Sequence, residues 1–585
     1  LVVAAAVVAV GALALSGCSA PAQSEIVSGT SISVAQNSGF TSYNPTAAAD
    51  NSTYNSNITY LTNQTFNYYN SKPTLVTIPK FGTYTEVSKN PLTIKYTVNS
   101  GVKWSDGVQV GAADMLLDWA SSISKYNGKG VNFTSADAGS GLDLVTKVPK
   151  ISDDGRSVTL VYSKPYSDWR TAFGIGVPAH ETYKLAYPSS KLSATAENNA
   201  VIKAIQTNNT TVLKKLAKAW ATGYEATTMP ANKNIFLSDG AYIITALTKD
   251  YVTLTANKNY TWGPLPKVQK ITVRFISDPT AQVQALQNGE VQIISGQATA
   301  DTLAAVKAAT GIKSTTTNES TYEHVDLTFN NKGPFSAAAY GGDASKAKLV
   351  REAFLKALPR QEIVDKLIKP LNPNVVLDNS QMFLPGAPGY STSVAANGSS
   401  AYNTQDVAAA KTLLAQAGVT TPVKVEFGYP NDNPRRVNEF QLIQSAENSA
   451  GFDVVDDSAP GDTYFGNLGS GIYDAVIFAW QYTSLAVSAN QPIFQTSATT
   501  AAGNYNGYSN KTVDADFKKL DVTTVPSAQQ ALLADIDKQA WGDAYGATLY
   551  QLPDLTAWSD KVSNVVDAPL APTVFWNYWQ WNVKT

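Results

Sequence analysis

Residues Val98 to Trp119 read V-N-S-G-V-K-W-S-D-G-V-Q-V-G-A-A-D-M-L-L-D-W, and this stretch decides the fold. Just upstream, Leu92, Ile94, Tyr96 and Val98 alternate with polar residues. That period of two puts apolar side chains on one face of a strand. Asn99-Ser100-Gly101 turns the chain, and Ser105-Asp106-Gly107 turns it again after Trp104. After Ala112-Ala113-Asp114 the spacing becomes helical, with Met115, Leu116, Trp119 and Ile123 on one stripe. Trp104 and Trp119 read as packed residues of this unit. Further along, strand runs alternate with helix runs, which predicts an α/β fold.

At 585 residues the chain exceeds one ordinary domain, and about two to four compact units are expected. Charged residues make up 15% and the net charge is −2. This excludes the concentrated basic field that a nucleic-acid partner needs, and it leaves no polybasic membrane patch. The chain has one cysteine and two histidines, His180 and His324. Zinc sites and Ser-His-Asp or Cys-His nucleophiles draw on those residue types, so no metal, no cofactor and no enzymatic activity are expected. His180, in Val177-Pro178-Ala179-His180, reads as structural. His324 lies in a strand expected from Tyr322 to Phe329. The 46 carboxylates offer many pairs for glycoside chemistry, but none stands in a recognisable motif.

Leu1 to Leu15 is apolar and small, followed by Ser16-Gly17-Cys18. The run is shorter than the roughly twenty residues of a membrane span and fits the apolar region of a secretory signal. With neither Met nor basic residues ahead of it, the natural start is expected upstream. Leu15-Ser16-Gly17-Cys18 resembles a bacterial lipobox, which makes Cys18 the lipidated residue and the mature N-terminus. Ala20 to Thr30 reads as a polar tether.

The decisive stretch, with its strand, W-S-D-G turn and A-x-D helix, resembles the family 5 extracellular solute-binding proteins of ABC importers. Other segments extend the resemblance in family order. They are Asn44-Pro45; the hairpin turn Asp153-Asp154-Gly155; Ser163-Lys164-Pro165-Tyr166; Ser238-Asp239-Gly240-Ala241-Tyr242; and Asn257-Lys258-Asn259-Tyr260-Thr261-Trp262-Gly263. Asp278-Pro279 should start a helix that Gly289 ends. Gly289-Glu290-Val291-Gln292-Ile293, Leu327 to Asn331 with Pro334-Phe335, and Val350-Arg351-Glu352-Ala353 continue the series. Pro359 should break the helix after Val350. A further helix, around Ala408 to Ala417, should be capped by Asn403 or Thr404 and closed by Gly418. Gly471-Ile472-Tyr473-Asp474-Ala475 to Trp480, and Asn506-Gly507-Tyr508-Ser509-Asn510, complete it.

The resemblance implies a two-lobed periplasmic-binding-protein fold of type II with an additional domain, mixed sheets and a ligand cleft between the lobes. Projected onto this chain, the signal is 1–17 and the lipidated tether 18–30. Lobe I takes 31–70, 176–320 and 548–585, the additional domain 71–175, and lobe II 321–547. The implied function is capture of a solute, an oligopeptide first of all, and delivery to the permease subunits of an ABC importer. The implied protein is a monomer held outside the cytoplasm by its lipid anchor, on the periplasmic or extracellular face of the cell membrane. Alternatives are another solute of the same family (a metal chelate, haem, an opine or an oligosaccharide) and, from other classes, a secreted hydrolase or a chaperone-like or signalling receptor.

For the site, the resemblance implies that Trp480 and Tyr482 line the cleft. Thr483 stands where peptide-binding relatives carry an aspartate for the ligand's amine. A hydroxyl accepts a hydrogen bond but lacks the charge that strengthens it. Either another acid does this work, or the ligand offers no free amine. Tyr550, on a strand returning to lobe I, is a further cleft candidate. Arg435 and Arg436 open a helix and read either as a bidentate carboxylate clamp or as a solvated helix start. Trp576, Tyr578, Trp579 and Trp581 read as packed core rather than a sugar platform.

Overall fold

The computed structural model describes residues 25–497 and 503–584. The signal segment and Cys18 lie outside the described residues. None of the described helices is long and apolar enough to cross a membrane.

Fourteen strands carry the architecture: β1 (Val27–Gln36), β2 (Gly82–Lys89), β3 (Leu92–Val98), β4 (Lys150–Ile151), β5 (Ser157–Val161), β6 (Tyr242–Leu247), β7 (Tyr251–Ala256), β8 (Val268–Phe275), β9 (Ile293–Gln297), β10 (Ile312–Leu327), β11 (Val423–Gly428), β12 (Phe452–Asp456), β13 (Ala475–Gln481) and β14 (Gly546–Ser559). Ten of them form one mixed sheet in the order β12-β11-β13-β10-β14-β9-β1-β8-β7-β6, and β2-β3-β5-β4 form a second. Val27 pairs with Val268, and a bulge at Gly29 (φ +81°) precedes the regular ladder from Ser31.

The quoted stretch folds as read. Leu92, Ile94, Tyr96 and Val98 are buried on one face of β3, and the helix Ala112–Ser122 buries Met115, Leu116 and Trp119. The W-S-D-G turn closes with a 2.8 Å bond from the Gly107 N–H to the Trp104 carbonyl, with Gly107 at φ +93°. It then ties distant segments together. Asp106 Oδ2 meets His180 Nε2 at 3.0 Å, and the Ser105 hydroxyl accepts the Ser238 N–H at 3.1 Å. Asp114 accepts the N–H of Gly111 at the helix start and of Ala179, at 2.9 and 2.8 Å. His180 is thus a structural partner of the motif. A side chain at Gly111 would meet the Gly155 carbonyl at 2.6 Å, so the helix start fits on the β4–β5 turn only as glycine.

Local punctuation elsewhere follows the same chemistry. Asp278 caps the helix Pro279–Gln287, Gly289 follows it at φ +74°, and the helix Ala344–Ala357 stops before Pro359. One cap differs from expectation. The helix Val407–Ala417 is capped by Asp406, which accepts the Ala409 N–H at 2.8 Å. Asn403 instead ends the short turn Ser399–Tyr402, which removes it from the capping position.

Two strands join the halves of the large sheet. The first residue of β10, Ile312, packs with Leu555 and Ala557, whereas Val325 and Leu327 at its other end belong to a second core with Ala547 and Leu549. β10 and β14 pair from Ile312↔Ser559 to Asn318↔Pro553, lose register across 319–321, and resume at Tyr322↔Gln551. Pro553 has no N–H to donate, so the ladder breaks beside it. The lobes meet at this break.

Candidate ligand-binding cleft

A cavity of about 640 Å³ opens at that break. One wall comes from Ser38, Tyr54, Asn57 and Gly296, with Phe575 from the C-terminal segment. The facing wall holds Arg436, Phe478, Trp480, Tyr482 and Thr483, and the floor holds Glu319, Thr321 and Tyr322 of β10. Strand alternation explains the tryptophan. Ile477 of β13 faces the second lobe's core, so Phe478 and Trp480, with a side chain between them, take the other face. Trp480 pairs with Tyr322 in the ladder. Its ring stacks on Tyr505 at 5.8 Å and 6°, and meets Phe478 edge-on at 5.3 Å. The Tyr482 hydroxyl accepts a 2.8 Å bond from Asn490 Nδ2. Thr483 is exposed to the cavity.

Arg435 and Tyr550 do not line this cavity. Both are buried in a cluster with Glu323, Glu439 and Arg436. Arg435 lies 2.9 Å from Glu323 and 2.7 Å from Glu439, and Arg436 bonds Glu323 at 2.7 Å. The Tyr550 hydroxyl donates to Glu439. Burial alone would raise the Glu323 carboxyl, but Arg435 and Arg436 overcome it and hold the group down at about 2. Burial wins at Glu439, which is pushed up to about 7 although Arg435 opposes it. Arg435 is therefore neither a ligand clamp nor a solvated helix start. Arg436 reaches the cavity wall, already paired.

Sequence reasoning missed the cavity's carboxylates. Asp50, Asp137, Glu319 and Asp462 all line it. Glu319 is one of three buried or half-buried carboxylates, with Asp554 and Asp567, whose oxygens lie within 4.8 Å of one another. Among the described residues this is the one such group that could hold a metal ion. Burial, then Asp554 and Asp567, push Glu319 well above the usual carboxylate range, and burial with Asp567 pushes Asp554 up to about 7. The signal available in the sequence was an acid, Glu319, within an otherwise neutral run of Thr, Asn and Ser on β10.

Contacts between distant segments also involve cavity-lining residues, among them Ser38, Asp462 and Ser488. The Ser38 hydroxyl bonds Asp462 at 2.9 Å. Asp168 accepts the N–H groups of Val487 and Ser488 and the Ser488 hydroxyl, at 3.1, 3.2 and 2.8 Å. The C-terminal aromatics pack as read. Trp576, Tyr578 and Trp581 are buried, and Tyr578 meets Tyr60 edge-on at 6.0 Å.

A mixed sheet bridged by two crossing strands, with an aromatic and acidic cavity at the bridge, defines a two-lobed solute-binding protein. The chain belongs to the bacterial extracellular solute-binding proteins, family 5, whose middle-region model matches residues 73–501. It is similar to the uncharacterized lipoprotein ML0489 of Mycobacterium leprae, at 24% identity over 88% of this chain and 87% of the relative. The oligopeptide-binding protein OppA of Mycobacterium bovis is also 24% identical, over 81% of this chain and 71% of the relative. The oligopeptide-binding protein AppA from Bacillus subtilis, solved with a nonapeptide, superposes with a TM-score of 0.72 at 16% identity, over 97% of this chain and 100% of the other.

Proposed function

We propose that this protein captures an oligopeptide outside the cytoplasm and delivers it to the permease subunits of an ABC importer. The observation that carries this reading is the cavity at the interlobe strand break, walled by Trp480, Tyr482 and Thr483. Family membership supports a solute-binding rather than a catalytic role, and the peptide-binding relative and structural neighbour support the class of solute. The domain division read from the sequence stands with this proposal. Its boundaries at 320/321 and 547/548 fall within β10 and β14, the two crossing strands. Ligand entry is coupled to hinge closure of the lobes, and Trp480, Tyr482 and Thr483 contact the ligand. The protein acts as a monomer, anchored through a lipid on Cys18, as the lipobox and the lipoprotein relative suggest.

Native mass spectrometry of the purified protein tests the reading. Peptide masses carried through purification are expected. A non-peptide solute in their place overturns the oligopeptide assignment and keeps the transport role. For the anchor, Cys18→Ser should release the protein from membranes, and a variant that stays membrane-bound refutes lipidation at Cys18.

A further inference from the structure

The cavity's charge is one-sided. Among the described lining residues, Asp50, Asp137, Glu319 and Asp462 carry carboxyl groups and Arg436 carries the single guanidinium. No lysine or histidine joins them. Arg436 is not free for an anion, because it bonds Glu323 at 2.7 and 3.3 Å. Asp50 is only 8% exposed, and its Oδ2 has no hydrogen-bond partner in the protein. A buried carboxylate oxygen without a donor is costly unless something outside the protein's own groups satisfies it.

Glu319 is the best placed of these acids. It sits on the unpaired residues of β10, and its Oε2 accepts bonds from Thr321 Oγ1 at 2.8 Å and Gln481 Nε2 at 3.2 Å. Gln481 is two residues before Thr483, and the Tyr482 N–H between them bonds the Ser320 carbonyl at 3.1 Å. Glu319 therefore adjoins the strand end where Thr483 offers no charge. Behind it stand Asp554 of β14 and Asp567 of the C-terminal segment, whose donors, Ser295 and Thr317 among them, are neutral. Tyr54 lines the same cavity as Glu319. Such a cluster persists by retaining protons or by holding a cation, and the cavity is the open side. Tyr54, Tyr322, Trp480, Tyr482 and Tyr505 supply aromatic surface around it, which attracts a cation to ring faces.

We propose that the cleft selects ligands carrying an organic cation, an ammonium or a guanidinium, with Glu319 as its counter-ion. This rests on the reading of the cavity as the ligand site. In the empty cleft Glu319 shares its environment with two further acids and no protein cation, and the ligand's cation supplies the missing partner.

The test uses two pentapeptide pools of the same shape. One has a free amino terminus and a lysine. The other is N-acetylated with norleucine in place of lysine, so it carries no cation. Titration calorimetry at pH 7.5 should show the cationic pool binding about tenfold tighter or more to the wild-type protein. Glu319→Gln should reduce that preference to within about threefold, through weaker binding of the cationic pool. Asp554→Asn, which keeps Glu319 and relieves the crowding behind it, should retain the preference. Equal binding of the two pools to wild type, or a preference that survives Glu319→Gln, overturns the inference and leaves peptide capture standing. If neither pool binds, the oligopeptide reading falls, and agmatine and spermidine against hexanediol then decide the cation rule: no binding of either amine overturns it. A divalent ion in the native mass of the ligand-free protein, removable by EDTA, would assign the cluster to a metal and overturn it as well.

Discussion

The same two strands, β10 and β14, carry two buried charge clusters of opposite design. On the second lobe's side, Glu323 and Glu439 are matched by Arg435 and Arg436, with Tyr550 completing the bonds. Only a few residues away along β10, Glu319 meets Asp554 and Asp567 with no cation among them. Both clusters lie in strand segments that the fold buries, so burial alone does not separate them. What separates them is access. In the matched cluster both carboxylates are fully buried and only Arg436, already paired with Glu323, reaches the cavity wall, so a lone carboxylate there has no remedy. The unmatched cluster adjoins the cavity through Glu319, where a ligand can complete it. The protein thus compensates charge internally where the structure is closed and leaves it incomplete where a solute enters.

The largest expected effect breaks the matched cluster. Glu323→Gln leaves two buried guanidinium groups short of a partner and should cost about 3–5 kcal/mol of stability. Glu319→Gln should cost less than about 1 kcal/mol, since glutamine keeps the size and hydrogen-bonding shape of a side chain that has no protein counter-ion to lose. Urea unfolding of the two variants side by side measures the contrast, and equal losses would abolish it.

Trp480→Ala should leave stability within about 2 kcal/mol, since the ring is half-exposed, but weaken binding of a captured peptide by about thirtyfold. Calorimetry with the peptide identified by native mass spectrometry checks this. An unchanged affinity would move the ligand away from the unmatched cluster's side of the cleft.

Raised carboxyls such as Asp554 and Asp50, and the lowered Glu323, should answer pH in opposite senses. The folded state raises Asp554 to about 7 and Asp50 to about 6, above the unfolded value of about 4. The native protein therefore binds more protons than the unfolded chain between those limits. Stability should fall, on the order of 2 kcal/mol, as pH rises from 4 to 7.5, and Asp554→Asn should flatten the slope. Glu323, held at about 2, contributes stability above roughly pH 4.5 that disappears as pH falls toward 2. Thermal unfolding across this range reads both arms.

The smallest effect concerns the contacts between Asp168 and the segment Val487–Ser488, whose Ser488 lines the cavity. Asp168→Ala removes the acceptor for Val487 and Ser488 at a half-buried position, and should cost about 1 kcal/mol. It should shift small-angle scattering toward a more open particle. A scattering profile identical to wild type would mean that this carboxylate does not bias closure of the cleft over the two clusters.

Much of the fold was legible because its signals are local. Gly107 and Gly155 adopt positive φ where turns were read, Asp278 caps the helix it precedes, and Pro359 ends another. Trp480 was legible as a wall residue because strand alternation fixes its face. Arg435 and Tyr550 were misplaced because the sequence around Arg435 does not contain its partner Glu323, and the sequence around Tyr550 does not contain Glu439, 111 residues away. Asn403 lost its capping role to Asp406 because a neighbouring turn used it first.

The sequence by itself determined the α/β alternation, the turns and caps, the family-like motif order and the lipobox, since each depends on residues within a turn or two of one another. Only the tertiary structure decided which charges are matched. Glu323 meets Arg436 across 113 positions, and Ser295 meets Asp554 across 259. The energy of a buried charge depends on the groups that surround it in space, and those groups are brought together by the packing of strands and helices distant in sequence, not by neighbours along the chain.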